Sequence, residues 1–137
     1  MTTEHGTIEV SHKRLPIFDT RFSGLSTPAE FEAHFEEYVR VMQLNGGPVV
    51  LLIDFRPARL IRIGPARIRL AADIVRKFQP LLSPFVAAEA RVFDTSVHRG
   101  ISGSVVRIAG AGPWPIRGFE RIAPAEMWLM RTLHDGR

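Results

Sequence analysis

The stretch that most constrains this chain is Pro48-Val49-Val50-Leu51-Leu52-Ile53-Asp54-Phe55-Arg56, where an unbroken run of large apolar residues follows a Gly46-Gly47 break and ends in an acid and an arginine. Apolar side chains at consecutive positions leave no strand face for water, the pattern of a central strand in a parallel sheet covered on both sides. A buried helix could be written with the same letters. The run is too short for one, however, and its β-branched content and its bounds at Gly-Gly-Pro and Arg56-Pro57 favour a strand. The rest of the chain is expected to layer around it, with its carboxyl end, at Asp54 and Arg56, as the end to watch.

Upstream, Thr7 to Lys13 alternates Ile8, Val10 and His12 against Glu9, Ser11 and Lys13, the period-2 signature of a half-covered strand. After Arg14-Leu15-Pro16, Ile17 to Ser23 repeats it with Phe18, Thr20 and Phe22 opposing Asp19, Arg21 and Ser23, so the two segments predict an edge hairpin. Thr27-Pro28-Ala29-Glu30 then reads as an N-cap, a first-turn proline and a capping-box acid. Phe31, Phe35, Tyr38, Val39 and Met42 recur at helical spacing, with Glu32, His34, Glu36, Glu37 and Arg40 outside, and Asn45-Gly46-Gly47 ends the helix. Strand, helix, strand in this order is a crossover unit, which makes the central strand parallel to one strand of the hairpin.

Downstream, Pro57 to Gly64 reads as an arginine-containing loop in which Leu60, Ile61 and Ile63 need cover. Pro65 opens a second helix with Ala71, Ile74, Val75, Phe78 and Leu82 inward, and Pro80 and Pro84 set its end. A strand lies within Val86 to Thr95, centred on Ala90 to Asp94. Ser96-Val97-His98-Arg99-Gly100 opens a third helix whose inward residues are expected at Val97, Ile101, Val105 and Ile108. Trp114 to Glu120 reads as a short last strand and Pro124 to Leu133 as a closing helix with Trp128 as its large buried residue. The expectation is one α/β domain over residues 1–137, with its core at about 7–133, an N-terminal β-hairpin, a mixed sheet of about five strands and about four flanking helices.

Composition narrows the function classes. At 137 residues, 45% hydrophobic and 23% charged, the chain has the make-up of one soluble globular domain. It has no cysteine, which removes disulfides, thiol catalysis and thiolate metal sites. No apolar run approaches the roughly 18 residues of a membrane span, and Met1 to His5 shows no signal pattern, so a cytoplasmic location is expected. The net charge of +4 rests almost wholly on arginines spread along the chain, as only Lys13 and Lys77 are lysines. One cluster stands out: Arg56, Arg59, Arg62, Arg67, Arg69, Arg76 and Lys77. It reads either as a solvated helix surface or as a flank for an acidic partner or membrane headgroup. No nucleic-acid module is recognisable, so no nucleic-acid partner is expected.

In open sheets of this kind ligands sit beyond the carboxyl ends of the strands. Those ends carry Asp54, Arg56 and Arg59 after the central strand, and Asp94, Ser96, His98 and Arg99 around the third helix start. If the two strands are parallel neighbours, these seven residues converge on one rim and are the candidate binding residues. Three readings stay open: an acid/base constellation, an anion site built from helix amides with His98 and Arg99, or caps and loop anchors with Asp54 and Arg56 as a local ion pair. His5, His12, His34, His98 and His134 lack metal-ligand spacing, and Gly100-Ile101-Ser102-Gly103-Ser104 lacks the Gly-Lys-Ser/Thr ending of a phosphate loop. Trp114 and Trp128 read as core.

The assembled pattern resembles the SpoIIAA-like family of STAS and CRAL-TRIO-related bacterial domains. The matching features are Phe22-Ser23-Gly24 followed by Pro28-Ala29-Glu30-Phe31, the strand Val49 to Asp54 with Arg56 behind it, and Ala125-Glu126-Met127-Trp128-Leu129 at the close. The resemblance implies five strands flanked by four helices and a non-catalytic, regulatory protein-binding module, with no cofactor. Members with known roles are non-catalytic binding modules, notably phosphorylation-switched antagonists of anti-sigma factors, while many small stand-alone members have no assigned activity; the regulators that are phosphorylated carry an Asp-Ser pair at a strand-to-helix turn. This chain contains no Asp-Ser pair, and Ser96 after Asp94-Thr95 is the nearest stand-in. The leading expectation is a non-enzymatic module that binds another protein at the rim, with homodimerisation as a further possibility. A nucleotide, phosphate or lipid-headgroup binder at the same rim is the alternative, and a hydrolase or transferase comes third.

Overall fold

A computed structural model describes residues 6–59, 63–110 and 112–136. The elements are β1 (Thr7–Arg14), β2 (Ile17–Ser23), α1 (Pro28–Asn45), β3 (Val49–Asp54), α2 (Pro65–Leu82), β4 (Val86–Val92), α3 (Ser96–Ala109), β5 (Ile116–Phe119) and α4 (Ile122–Asp135). They form one five-stranded sheet in the order β1-β2-β3-β4-β5. The first pair is antiparallel and every later pair parallel, so the Pro48 segment is the middle strand of a mixed sheet.

That order dictates the layers. Each parallel crossover moves one strand over in the same direction, and such crossovers are right-handed, so α1, α2 and α3 must share one face. Accordingly α1 packs on α2 and α2 on α3, while α4, which is no crossover, packs on β3, β4 and β5. The three-helix face buries Phe18, Tyr38, Met42, Leu51, Phe78, Leu82 and Trp114. On the other face Val50, Leu52, Ala88, Ala90 and Val92 meet Ala125, Leu129 and Leu133. The small residues there let α4 lie close to the sheet.

α1 starts where the sequence says it must. The Thr27 hydroxyl accepts from the Glu30 amide at 3.1 Å, and the Glu30 carboxylate accepts from the Thr27 amide at 2.8 Å. Gly46, at φ 74°, closes it in the left-handed region that favours glycine. His34, expected on the outer face, is instead buried beside Phe22, Phe35 and Tyr38. α2 runs through Pro80 to Leu82: the proline sits in the last turn with its ring exposed, so the missing amide costs one bond near the helix end. β4 ends at Val92, so Phe93 and Asp94, which the expected strand centre included, lie beyond it.

α3 is present but rotated about one residue from its expected phase. His98, Ser102 and Ala109 face inward, whereas Val97 and Ile108 are 44% and 41% exposed. α4 likewise buries Ala125, Leu129 and Leu133, with Trp128 only half-buried against Phe119. Leu60, Ile61 and Arg62 lie outside the described residues, and Ile63 is half-buried. No described helix is long and apolar enough to cross a membrane.

Candidate functional site

The two corners meet. Asp54 pairs with Val92 across β3 and β4, and the Phe55 amide donates to the Val92 carbonyl at 2.9 Å. Phe22, Phe55 and Phe93 stack in a row across the strand ends, with centroid separations of 4.7 and 5.2 Å. Beside this row Arg56 donates to both Asp54 oxygens, each at 2.9 Å, and its backbone amide adds a third bond at 3.0 Å. Partial burial pushes the Asp54 carboxyl up, but the bonds from Arg56 and the charges of Arg56 and Arg21 outweigh it and hold the group below its usual range. A carboxylate kept ionised in this way is a poor proton carrier at neutral pH.

At the second corner Thr95, not Asp94 or Ser96, caps α3: its hydroxyl accepts from the His98 amide at 3.2 Å. Asp94 and Ser96 are exposed, and Asp94 acts on Arg56 through space. His98 is buried, and its Nδ1 has no hydrogen-bond partner, with the nearest Asp94 oxygen 3.9 Å away. The Arg99 guanidinium lies over the Phe93 ring at 5.5 Å. It fits there because residue 118 is glycine: a Cβ at that position would come within 2.6 Å of Arg99 Nη1. The Arg59 amide donates to the Gly24 carbonyl at 2.7 Å and ties the loop to the end of β2. Asp54 and Arg56 thus flank Phe55, Arg99 covers Phe93, and Asp94, Ser96 and His98 belong to the adjoining start of α3, with the Arg59 backbone on the β2 side.

The basic stretch beyond the rim is largely occupied by the protein itself. Arg67 donates to the Ser26 carbonyl. Arg76 reaches the Ile108 carbonyl at 2.7 Å and Asp73 at 3.3 Å, and Lys77 pairs with Glu32 at 2.5 Å. These cations pin α2 to its neighbours, while Arg69 is exposed without a partner among the described residues.

A second polar constellation lies inside, where sequence reasoning placed nothing. Glu89, 3% exposed, accepts from Arg91 Nε at 2.5 Å and from Trp114 Nε1 at 3.1 Å. Arg91 Nη1 donates to Ser102 Oγ on α3 at 2.5 Å. Nearby Thr20 and Tyr38 share a short hydrogen bond, and burial pushes the tyrosine hydroxyl far above its usual range. The signal for this cluster was available in Val86-Ala87-Ala88-Glu89-Ala90-Arg91-Val92. In a strand covered on both faces, an acid and an arginine two apart point the same way into a helix layer, not into water.

Compared with known proteins, the fold matches the crystal structure of an uncharacterized protein of the DUF3478 family with a SpoIIAA-like fold from Shewanella loihica PV-4. The TM-score is 0.67 at 16% identity, over 94% of this chain and 98% of that one. No protein-family model matches the sequence. No curated protein matches it. The chain therefore has a SpoIIAA-like fold.

Proposed function

We propose that this chain is a non-enzymatic, STAS-like interaction module whose strand-end rim engages another protein. The observation that carries the reading is the placement of Arg99: exposed, laid over the Phe93 ring, and seated against Gly118 of β5. A guanidinium stacked in this way is prepared for a planar acidic group on a partner at little entropic cost. Asp54, paired with Arg56, and the exposed Asp94 add the opposite sign to the same rim, which suits a partner that must dock in one register. The fold supports a STAS-like domain in general, and the rim supplies the surface.

The test is capture of a stoichiometric partner on immobilised chain, identified by mass and then purified. The Arg56→Glu, Arg99→Glu double variant is expected to lose at least tenfold in affinity for that purified partner, and Arg131→Glu on α4 is expected to keep it. A partner held equally by both variants overturns the rim as the contact surface.

A second reading has one observation behind it: His98 Nδ1 is buried and unpartnered at the start of α3. Helix amides beside such a group favour a phosphate, so inorganic phosphate should shift the His98 ring signals in this reading and leave them unmoved in the first.

A further inference from the structure

The three-helix face is not packed shut. A cavity of about 140 Å³ lies under α2, floored by β3 and β4 and walled by α3. Its origin is visible in the sequence, since α2 contributes Ala71 and α3 turns Ser102 and Ala109 to the places where larger residues would fill the space. Most of the lining is apolar, and none of the seven rim residues touches it. Apolar cavities of roughly 150 Å³ stay dry and take up one benzene-sized molecule, so the space holds a single six-membered ring and little more.

Ser26, His34, Tyr38, Arg67 and Gln79 reach the lining from the helices and loops, and the polar group shared by β4 and α3, Glu89, Arg91 and Ser102, has its hydrogen-bonding capacity unevenly spent. Arg91 has five N–H groups, of which one goes to Glu89 and one to Ser102, and the others have no partner among the described residues. Ser102, whose oxygen accepts from Arg91, keeps its own proton to donate. Glu89 already accepts from both Arg91 and Trp114. The wall therefore offers donors.

Charge decides what those donors take. Arg91 is neutralised by Glu89, and Arg67, the other cation on the lining, donates to the Ser26 carbonyl, so a ligand anion held at Arg91 would lie beside a buried carboxylate. A ligand cation would compete with Arg91 for Glu89. An uncharged acceptor oxygen meets the unused donors and disturbs neither partner. We propose that this cavity binds a small neutral carbonyl compound, with an apolar body the size of one six-membered ring under α2 and its oxygen held by Arg91 and Ser102. The site is separate from the rim, and it stands whether or not the rim binds a protein.

Three probes of one size separate the alternatives: cyclohexanone, methylcyclohexane and cyclohexanecarboxylate, each titrated into the isotope-labelled full chain. The two tryptophans give an internal control, because Trp114 lines the cavity and Trp128 lies on the opposite face. Cyclohexanone is expected to move the Trp114 indole N–H signal but not that of Trp128, and to raise Tm by mass action. Ser102→Ala should weaken its binding at least fivefold, and Ala71→Leu, which fills the space, should abolish it. If Ala71→Leu does not fold, the Ser102→Ala ratio alone decides. The proposal fails if cyclohexanone leaves Trp114 unmoved, if methylcyclohexane binds as tightly, or if the carboxylate binds more tightly than the ketone.

Discussion

The two faces of the sheet bury similar strands under different helices. Under α4, alanines and branched residues of β3 and β4 meet Ala125, Leu129 and Leu133, with no buried polar side chain among the described residues. Under α1, α2 and α3 lie all the buried polar residues described, Thr20, His34, Glu89, His98 and Ser102, together with a void. One helix can lie flat on small side chains, whereas three helices over aromatic strands leave seams. Polar groups and space collect where the helices meet one another.

The largest way to break this contrast is to unbalance the ion pair. Glu89→Ala strands a charged Arg91 in the interior and is expected to lose roughly 3–5 kcal/mol by urea unfolding, while Glu89→Met with Arg91→Met together should recover most of it. If the single variant is no worse than a surface change, the helix-rich face is wetter than described. On the dry face Leu129→Ala should cost roughly 2–5 kcal/mol. Val75→Ala, beside the existing void, should cost clearly less, and equal losses in the two would remove the difference in packing.

Acid between pH 6.5 and about 4 should act first on the helix-rich face. Burial lowers the His34 pKa from 6.5 to about 4, outweighing the hydrogen bond from its Nδ1–H to the Phe31 carbonyl. The folded state therefore holds His34 neutral while the unfolded chain takes up a proton below pH 6.5. The stability it contributes is complete above that pH and drains away as pH falls toward 4, by roughly 3 kcal/mol at most. His34→Gln should flatten the unfolding free energy across that window, and an unchanged slope would mean that the imidazole is not desolvated. The smallest effect concerns the rim: Gly118→Ala should displace Arg99 and weaken partner binding while moving stability within about 0.5 kcal/mol. A partner that tolerates the change does not use Arg99 in this pose.

The frame of the fold was legible because its signals are local or periodic over long stretches. The Thr27–Glu30 cap, the Gly46 stop and the apolar run of β3 each carry their physics in a few adjacent residues. The convergence of the Asp54 and Asp94 corners followed from parallel pairing of β3 and β4. The interior of the helix-rich face was not legible, since periodicity places a helix's inward face by apolar content alone. Val97, Ile101, Val105 and Ile108 satisfy that rule, but Arg91 needs an oxygen above it, and Ser102 supplies one only with α3 turned inward at His98 and Ser102. His34 was misplaced for the same reason: an imidazole can be buried neutral among rings, which residue type alone does not reveal. Pro80 shows that a proline limits a helix only where more than a turn remains beyond it.

The sheet is numbered across in the order it is written along the chain, so every strand docks on the one synthesised just before it. No strand waits for a distant partner, and a nascent chain leaving the ribosome meets each pairing edge as soon as that edge exists. Only α4 breaks this rhythm, arriving after β5 to seal the dry face of strands that have been exposed since β3 formed. Until that last helix lands, the alanine-rich side of the sheet is the surface a chaperone would find.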